Sequence, residues 1–187
     1  MNHCDHDTGC HSLCIGAPAP DFTAPAYQKE SVEHKISLSD YKGKWVLLFF
    51  YPLDFTFVCP TELIELGKMR EEFEKHNCQI LSVSVDSVFS HEGWAKADER
   101  IAKLGFPMLS DMTKELSYDY GVLHEDGMSL RGAFLIDPDG KLQSMTINNL
   151  DVGRNPKELL RTLKAFQTGE LCPVSWDEGE KTLGKAD

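Results

Sequence analysis

Two strand-like runs flank one amphipathic stretch near the middle of the sequence. Residues 45–50 (WVLLFF) form a continuous apolar run, the pattern of a strand buried on both faces, and residues 79–85 (QILSVSV) have the pattern of a second strand. Between them, apolar side chains recur at helical spacing from Thr61 to His76. A strand, a helix and a strand in this order form a right-handed crossover with parallel pairing. The segment therefore predicts an α/β fold with helices flanking a central sheet.

Further elements are predicted on both sides of this crossover. They are a helix within residues 88–104, a shorter helix near 114–120, strands over 129–136 and 141–147 joined by a turn at Pro138-Asp139-Gly140, and a helix that ends at Gly169. The last helix has Asn155 as its N-cap and Pro156 at its first position. The prolines in residues 16–30 favour an extended lead-in. A parallel crossover together with an antiparallel hairpin predicts a mixed sheet.

Length and charge limit the class of protein. A chain of 187 residues with a hydrophobic fraction of 41% is sufficient for one substantial core. The formal net charge of -11 disfavours nucleic acid and anionic membrane surfaces as partners, because no Lys/Arg cluster offsets it. No stretch reaches the roughly 20 apolar residues of a membrane span, and the N-terminal residues lack the order of a signal peptide. We therefore expect a cytoplasmic protein.

Three segments are expected along the chain. Residues 1–14 (MNHCDHDTGCHSLC) are polar and rich in Cys and His, without apolar periodicity, which is typical of a flexible tail. Residues 15–168 carry the predicted domain. Residues 169–187 form a C-terminal segment that contains the last cysteine, Cys172.

Cys59 lies at the joint between the first predicted strand and the helix that follows it. We predict that this helix begins near Pro60 or Thr61, so that the cysteine directly precedes it. A helix N-terminus carries a partial positive charge and unpaired N–H groups, and both favour a thiolate over a thiol. The alternative is an inert, buried cysteine. Cys78, at the start of the second strand, is expected to be of that inert kind.

Two polar residues are candidate partners of the Cys59 sulfur. Thr56 precedes the cysteine by three positions, and in a first helical turn this spacing would bring its hydroxyl to the same side. Arg131 interrupts an apolar strand, where a guanidinium would hold a nearby thiolate ionised and bind an oxygen-bearing substrate. The alternatives are an ordinary capping role for Thr56 and a carboxylate partner at the sheet edge for Arg131.

These residues belong to a longer pattern. Residues 50–63 (FYPLDFTFVCPTEL) place Pro52, Thr56 and Cys59 in the order P-x-x-x-T-x-x-C, which closely resembles the active-site loop of typical 2-Cys peroxiredoxins and of alkyl hydroperoxide reductase C. The resemblance continues in the same order through SVDSVFSHEGW, RGAFLIDPDGK, GRNPKELLRTLKAFQ and LCPVSW, and it covers residues 15–176.

The resemblance implies a thioredoxin-like fold and a thiol peroxidase that needs neither a cofactor nor a metal. Cys59 would be the peroxidatic cysteine, whose thiolate attacks hydrogen peroxide or an organic hydroperoxide and becomes a sulfenic acid. Thr56 and Arg131 would hold the two peroxide oxygens while Pro52 shields the pocket from water. Glu62 and Arg154 match further polar positions of the family and would orient Arg131 and the loop.

The resemblance also assigns a role to Cys172. This residue would be the resolving cysteine, which forms a disulfide with Cys59 of a partner subunit and so requires a homodimer. Rings of five dimers are common in this family, and residues 88–94 (VFSHEGW) resemble part of the contact between dimers. The implied reductant is thioredoxin or a flavoprotein disulfide reductase.

Two family features that accompany easy over-oxidation are missing from the sequence. Sensitive relatives carry a Gly-Gly-Leu-Gly insertion and a C-terminal helix with Tyr-Phe, which slow the unwinding that disulfide formation needs. Here the corresponding stretches read KLGFPMLSD (residues 103–111) and EGEKTLGKAD (residues 178–187). We therefore predict resistance to over-oxidation.

The tail and two other functions remain open at this point. The tail residues without a family counterpart are His3, Cys4, His6, Cys10, His11 and Cys14. A zinc site at the three cysteines is the alternative to a metal-free tail, although C-x5-C-x3-C is not a standard zinc spacing. A thioredoxin-like disulfide carrier would need C-x-x-C, whereas Glu62 occupies the third position after Cys59. A redox sensor or chaperone-like ring is compatible with the same cysteines.

Overall fold

The computed structural model describes residues 13–185, and its centre is a seven-stranded mixed sheet. The strands are β1 (Thr23–Gln28), β2 (Ser31–Ser37), β3 (Trp45–Phe50), β4 (Cys78–Ser84), β5 (Met108–Ser110), β6 (Arg131–Ile136) and β7 (Leu142–Asn148), in the spatial order β2-β1-β5-β4-β3-β6-β7. The helices are α1 (Cys59–Lys75), α2 (Val88–Ala97), α3 (Glu99–Ala102), α4 (Glu115–Asp119) and α5 (Pro156–Gln167), with a 3-10 helix at Leu38–Tyr41.

The predicted crossover is confirmed. Strands β3 and β4 pair in parallel, with Leu47 opposite Ile80, and α1 connects them. In β3 every residue after Trp45 is buried, as expected of a strand covered on both faces. The hairpin of β6 and β7 is also confirmed, because the two strands pair antiparallel and Asp137 and Lys141 close the turn by a backbone hydrogen bond of 2.9 Å. The sheet is therefore mixed, as predicted.

The expected extended lead-in is instead the start of a β-hairpin. Strand β1 pairs antiparallel with β2, and Ala26 and Tyr27 also pair with β5. Pro25 is tolerated in β1 because the pairing with β5 begins only at Ala26. On the side of the strand that faces β5, the missing N–H of Pro25 therefore costs no hydrogen bond of the sheet. The prolines hid the period-two burial of β1, in which alternate residues from Thr23 to Ala26 are exposed and buried.

The structure differs from the predicted helices in two details. The helix expected within residues 88–104 is interrupted at Asp98, which has extended backbone angles (φ -133, ψ 108) and whose side chain accepts a hydrogen bond from the backbone N–H of Arg100. Asp98 therefore ends α2 and caps α3. Helix α1 begins at Cys59 itself, because the backbone of Val58 is already helical (φ -81, ψ -40). The cysteine lies in the first helical turn rather than before it.

The chain forms two compact units. The first ends at Arg154 and contains the whole sheet with α1–α4, and the second begins at Asn155 and contains α5 and the segment after it. Asn155 caps α5 as predicted, since its side chain accepts a hydrogen bond from the N–H of Lys157. The boundary that we expected between the domain (residues 15–168) and the C-terminal segment (residues 169–187) lies inside the second unit. Within residues 13–185, no helix combines the length and the apolar character needed to cross a membrane.

Candidate active site

The side chain of Cys59 is fully buried at the first turn of α1. Pro60 follows it at a position where a fixed φ suits the helix and a missing N–H costs no helical hydrogen bond. The backbone N–H groups of Thr61 and Glu62 donate hydrogen bonds to the carbonyl of Val58, which closes the first turn of the helix. The sulfur therefore lies where the N-terminal partial charge of the helix favours an anion.

Arg131 joins the cysteine to a buried carboxylate. It is the first residue of β6 and is 3% exposed. Its Nη1 lies 3.5 Å from the Sγ of Cys59 and donates to Glu62 Oε2 at 2.7 Å. Its Nε donates to the carbonyl of Leu150 at 2.7 Å. Arg131 thus has a carboxylate partner, but that partner is buried beside the sulfur rather than at the sheet edge.

Arg154 holds the same carboxylate from the other side. Its Nε donates to Glu62 Oε1 at 2.9 Å, its Nη2 to Oε2 at 3.1 Å, and its backbone N–H to Oε1 at 2.6 Å. The guanidinium carbon lies 3.4 Å from the ring centroid of Phe49. Burial lowers the pKa of Arg154, while the hydrogen bond and the charge of Glu62 oppose that shift. Glu62 is therefore fixed by both arginines.

The buried charges of Arg131, Arg154 and Glu62 sum to one net positive charge, which an additional anion would balance. Two buried guanidinium groups face a single buried carboxylate. An unbalanced charge in a poorly solvated interior is costly, and a Cys59 thiolate would neutralise it. A negative charge on Cys59 would also interact favourably with Arg154. The arrangement can therefore hold a thiolate and orient a polar substrate next to it.

Pro52 and Thr56 lie in the loop before α1. Pro52 is buried and Thr56 is half-buried. The expected helical spacing of Thr56 and Cys59 was wrong, since the helix begins only at the cysteine and Thr56 lies outside it. The Thr56 hydroxyl donates to the carbonyl of Leu53 at 2.9 Å. Between them, Phe55 has a left-handed backbone (φ 55), which turns the loop sharply.

Cys172 lies in the second unit, in the segment after α5. Its side chain is half-buried, with Sγ 3.4 Å from the hydroxyl oxygen of Thr168 and 3.6 Å from the carbonyl oxygen of Ala165. It is a free thiol, as are Cys59 and Cys78. Cys78 is buried as expected, and burial raises the pKa of its thiol well above the usual range.

Comparison with known proteins decides the family. The AhpC/TSA family model matches residues 15–145. The chain belongs to the AhpC/TSA family. A chloroplastic 2-Cys peroxiredoxin of Spinacia oleracea is 51% identical over 179 residues, covering 90% of this chain and 67% of the relative. Peroxiredoxin-2 of Bos taurus is 49% identical over 177 residues, covering 90% of this chain and 88% of the relative.

A solved structure of a relative agrees in fold. The reduced 2-Cys peroxiredoxin of Plasmodium vivax superposes with a TM-score of 0.83 at 41% identity, covering 90% of this chain and 91% of that one. The expected thioredoxin-like fold is therefore confirmed. The protein is a peroxiredoxin, a peroxidase whose reaction depends on thiols.

A second buried polar cluster of this peroxiredoxin was not foreseen from its sequence. The Asp54 carboxylate accepts hydrogen bonds from the hydroxyls of Tyr51 and Ser90 and pairs with His91 Nδ1, each at 2.8 Å. The backbone N–H of Asp54 donates to Asp86 at 2.9 Å. This cluster ties the active-site loop to α2. The sequence did offer one indication of this cluster. Asp54 lies in FYPLDFTFVCPTEL and His91 lies in SVDSVFSHEGW, and both stretches resemble the family.

The tail falls mostly outside the described residues. This applies to His3, Cys4, His6, Cys10 and His11, on which the alternative of a metal site depends. Cys14 is described, but a site at the three cysteines would also need Cys4 and Cys10. That the tail holds no metal stays a prediction.

Proposed function

We propose that this peroxiredoxin reduces hydrogen peroxide and organic hydroperoxides at Cys59. The observation that supports this most is the 3.5 Å approach of Arg131 Nη1 to the buried Cys59 sulfur. The thiolate attacks the terminal peroxide oxygen, the O–O bond breaks, and the leaving oxygen takes a proton and departs as water or an alcohol. Cys59 becomes a sulfenic acid.

The other site residues support this step in distinct ways. Arg131 and Thr56 bind the peroxide oxygens as the O–O bond stretches, and the guanidinium stabilises the charge that develops there. Pro52 is buried in the loop and keeps water from the sulfur. Glu62 and Arg154 orient Arg131, because the carboxylate of Glu62 accepts from both guanidinium groups.

The sulfenic acid is resolved by Cys172 of a second copy of the chain. Its thiolate attacks the sulfur of Cys59, the S–O bond breaks, and hydroxide leaves and takes up a proton to become water. The product is a disulfide between the two subunits. Residues 169–187 thus act as the resolving segment, residues 15–168 as the peroxidase domain and residues 1–14 as its tail.

Exposed features of the first unit support a dimer and a larger ring. Strand β7 is at one edge of the sheet, so its outer backbone groups are available to a second copy. Met145 and Ile147 of this strand are 42% and 41% exposed. Exposed aromatic side chains also lie in the active-site loop, at Phe55 and Phe57, and in α2, at Phe89. Apolar patches of this kind mark protein interfaces. We assign the exposed edge at β7 to the homodimer, and the aromatic residues of the loop and α2 to contacts between dimers in a decamer.

The disulfide must be reduced for the next cycle. We propose thioredoxin or a flavoprotein disulfide reductase as the reductant, since either supplies the thiolate that breaks an S–S bond. We also propose the cytoplasm as the compartment, because such reductants keep thiols reduced there.

Replacing Cys172 with Ser is expected to limit each subunit to one turnover. Peroxide should still oxidise Cys59, but the thioredoxin-coupled rate should fall at least about a hundredfold, because no disulfide forms for the reductant to attack. Coupled NADPH oxidation and a non-reducing gel measure this, and the oxidised variant should migrate as a monomer. Val174→Ala is a matched control, since Val174 is 95% exposed two positions away. A disulfide-linked dimer formed by Cys172→Ser would contradict the assignment.

Resistance to over-oxidation is expected from the missing Gly-Gly-Leu-Gly insertion. Without this insertion the first turn of α1 unwinds readily, so that Cys172 reaches the sulfenic acid before a second peroxide does. Mass spectrometry after turnover with millimolar peroxide should find only a minor fraction of Cys59 as sulfinic acid. Protein first converted to the disulfide serves as the protected control. Abundant sulfinic acid at low peroxide would refute this expectation.

A further inference from the structure

The segment after α5 folds into a closed loop that carries Cys172. The backbone N–H of Leu171 donates to the carbonyl of Gly184, and that of Leu183 donates to the carbonyl of Leu171, both at 2.8 Å. These bonds close the base of a loop over residues 171–184, which we call the Cys172 loop. Trp176, within it, is 4% exposed, and its indole N–H donates to the carbonyl of Glu180 at 3.1 Å. The loop is thus an ordered structure rather than an extended tail.

One side chain of α5, that of Arg161, binds the Cys172 loop by a hydrogen bond. Arg161 donates from Nη1 to the carbonyl of Trp176 at 2.8 Å. Its other two nitrogens donate to the two carboxylate oxygens of Glu158, both at 2.7 Å. A guanidinium held on two nitrogens by one carboxylate is pre-oriented, so its third donor loses little freedom on binding the carbonyl.

Separate contacts hold the sulfur of Cys172 against the end of α5. The sulfur contacts the Thr168 hydroxyl and the Ala165 carbonyl, which belong to the last turn of α5 and its cap. The pKa of Arg161 is raised, chiefly by its hydrogen bond to Glu158, while burial opposes the shift and the charge of Asp177 in the loop adds to it. Arg161 therefore interacts with the Cys172 loop through a hydrogen bond and through its charge.

We propose that Arg161 is a positioning residue for the resolving step, which keeps Cys172 docked on α5 until the loop opens. This inference rests on the proposed role of Cys172. A docked thiol that contacts its own helix must leave that helix before it can attack a sulfenic acid elsewhere. The observed rate of resolution is then the rate of the open loop multiplied by the fraction of chains in which the loop is open.

Replacing Arg161 with Gln tests this. The loss of one charge-assisted hydrogen bond should raise the open fraction about fivefold to tenfold. We expect iodoacetamide to alkylate Cys172 faster by that factor in the reduced full-length protein, as followed by peptide mass spectrometry. Stopped-flow fluorescence should show faster disulfide formation and an unchanged rate for the preceding oxidation of Cys59. A general structural defect would change the rate of that oxidation as well.

Three further variants complete the experiment. Lys157→Gln removes an equal charge from α5 without touching the loop and should behave as wild type. Glu158→Gln should shift both rates in the same direction by a smaller factor, because Arg161 keeps its contact but loses its orientation. Arg161→Lys should restore part of the docking.

The outcomes separate this inference from the function on which it rests. If Arg161→Gln leaves alkylation and resolution unchanged, or slows both, Arg161 does not hold Cys172 and the inference is overturned. If instead the wild-type protein forms no Cys59–Cys172 disulfide, the proposed function fails, whereas the alkylation rates still report whether Arg161 docks the loop.

Discussion

Replacing Cys59 with Ser is expected to lower the second-order rate of peroxide consumption by at least about a thousandfold. A serine hydroxyl is hardly ionised at neutral pH and is a far poorer nucleophile than a thiolate. The surrounding charges would remain, because Arg131, Glu62 and Arg154 bind one another without the sulfur. Stopped-flow fluorescence with hydrogen peroxide, or competition with a peroxidase of known rate, measures the change.

Cys78→Ala is the matched control for this experiment. Cys78 is also buried, at 3% exposure, but burial raises the pKa of its thiol and keeps it protonated. The variant should therefore consume peroxide at the wild-type rate while folded. If Cys78→Ala lost activity in a folded protein and Cys59→Ser kept it, the assignment of the reactive cysteine would have to be reversed.

Replacing Glu62 with Gln is expected to reduce both stability and activity. The substitution leaves two buried guanidinium groups without their shared carboxylate, and removing one partner of a buried ion pair typically costs about 3–5 kcal/mol of the free energy of unfolding. Arg131 also loses the group that orients it, so the peroxide rate should fall about a hundredfold. Urea denaturation followed by circular dichroism gives the first quantity and stopped-flow kinetics the second.

The control for this variant lies on the same helix. Glu65 pairs with Lys68 at 3.0 Å, but its side chain is 41% exposed, so Glu65→Gln should change the free energy of unfolding by less than about 1 kcal/mol. If Glu62→Gln and Glu65→Gln were equally stable and equally active, the buried carboxylate would have no orienting role.

The sequence predicted those elements whose burial pattern is local. Strand β3 is a continuous apolar run and α1 carries apolar residues at helical spacing, so both could be located within two residues. The β1 strand was missed because its pattern is short and interrupted by Pro25, and its stability comes from pairing with β2 and β5. Likewise, the interruption of the second helix depends on one capping residue, Asp98, which also fits a helix surface.

The sequence by itself determined that a cysteine lies where a buried strand gives way to a helix, because that inference needs only neighbouring residues. Which polar side chains surround the sulfur was decided by the tertiary structure. Arg131 is 72 positions from Cys59, and Arg154 is 92 positions from Glu62. Antiparallel pairing of β3 and β6 places the first residue of β6 beside the end of β3, where the active-site loop begins. That pairing brings Arg131 to the buried carboxylate of Glu62, and Arg154, which follows β7, reaches the same carboxylate. The resulting excess of positive charge is the physical reason that the site favours an anion at the sulfur.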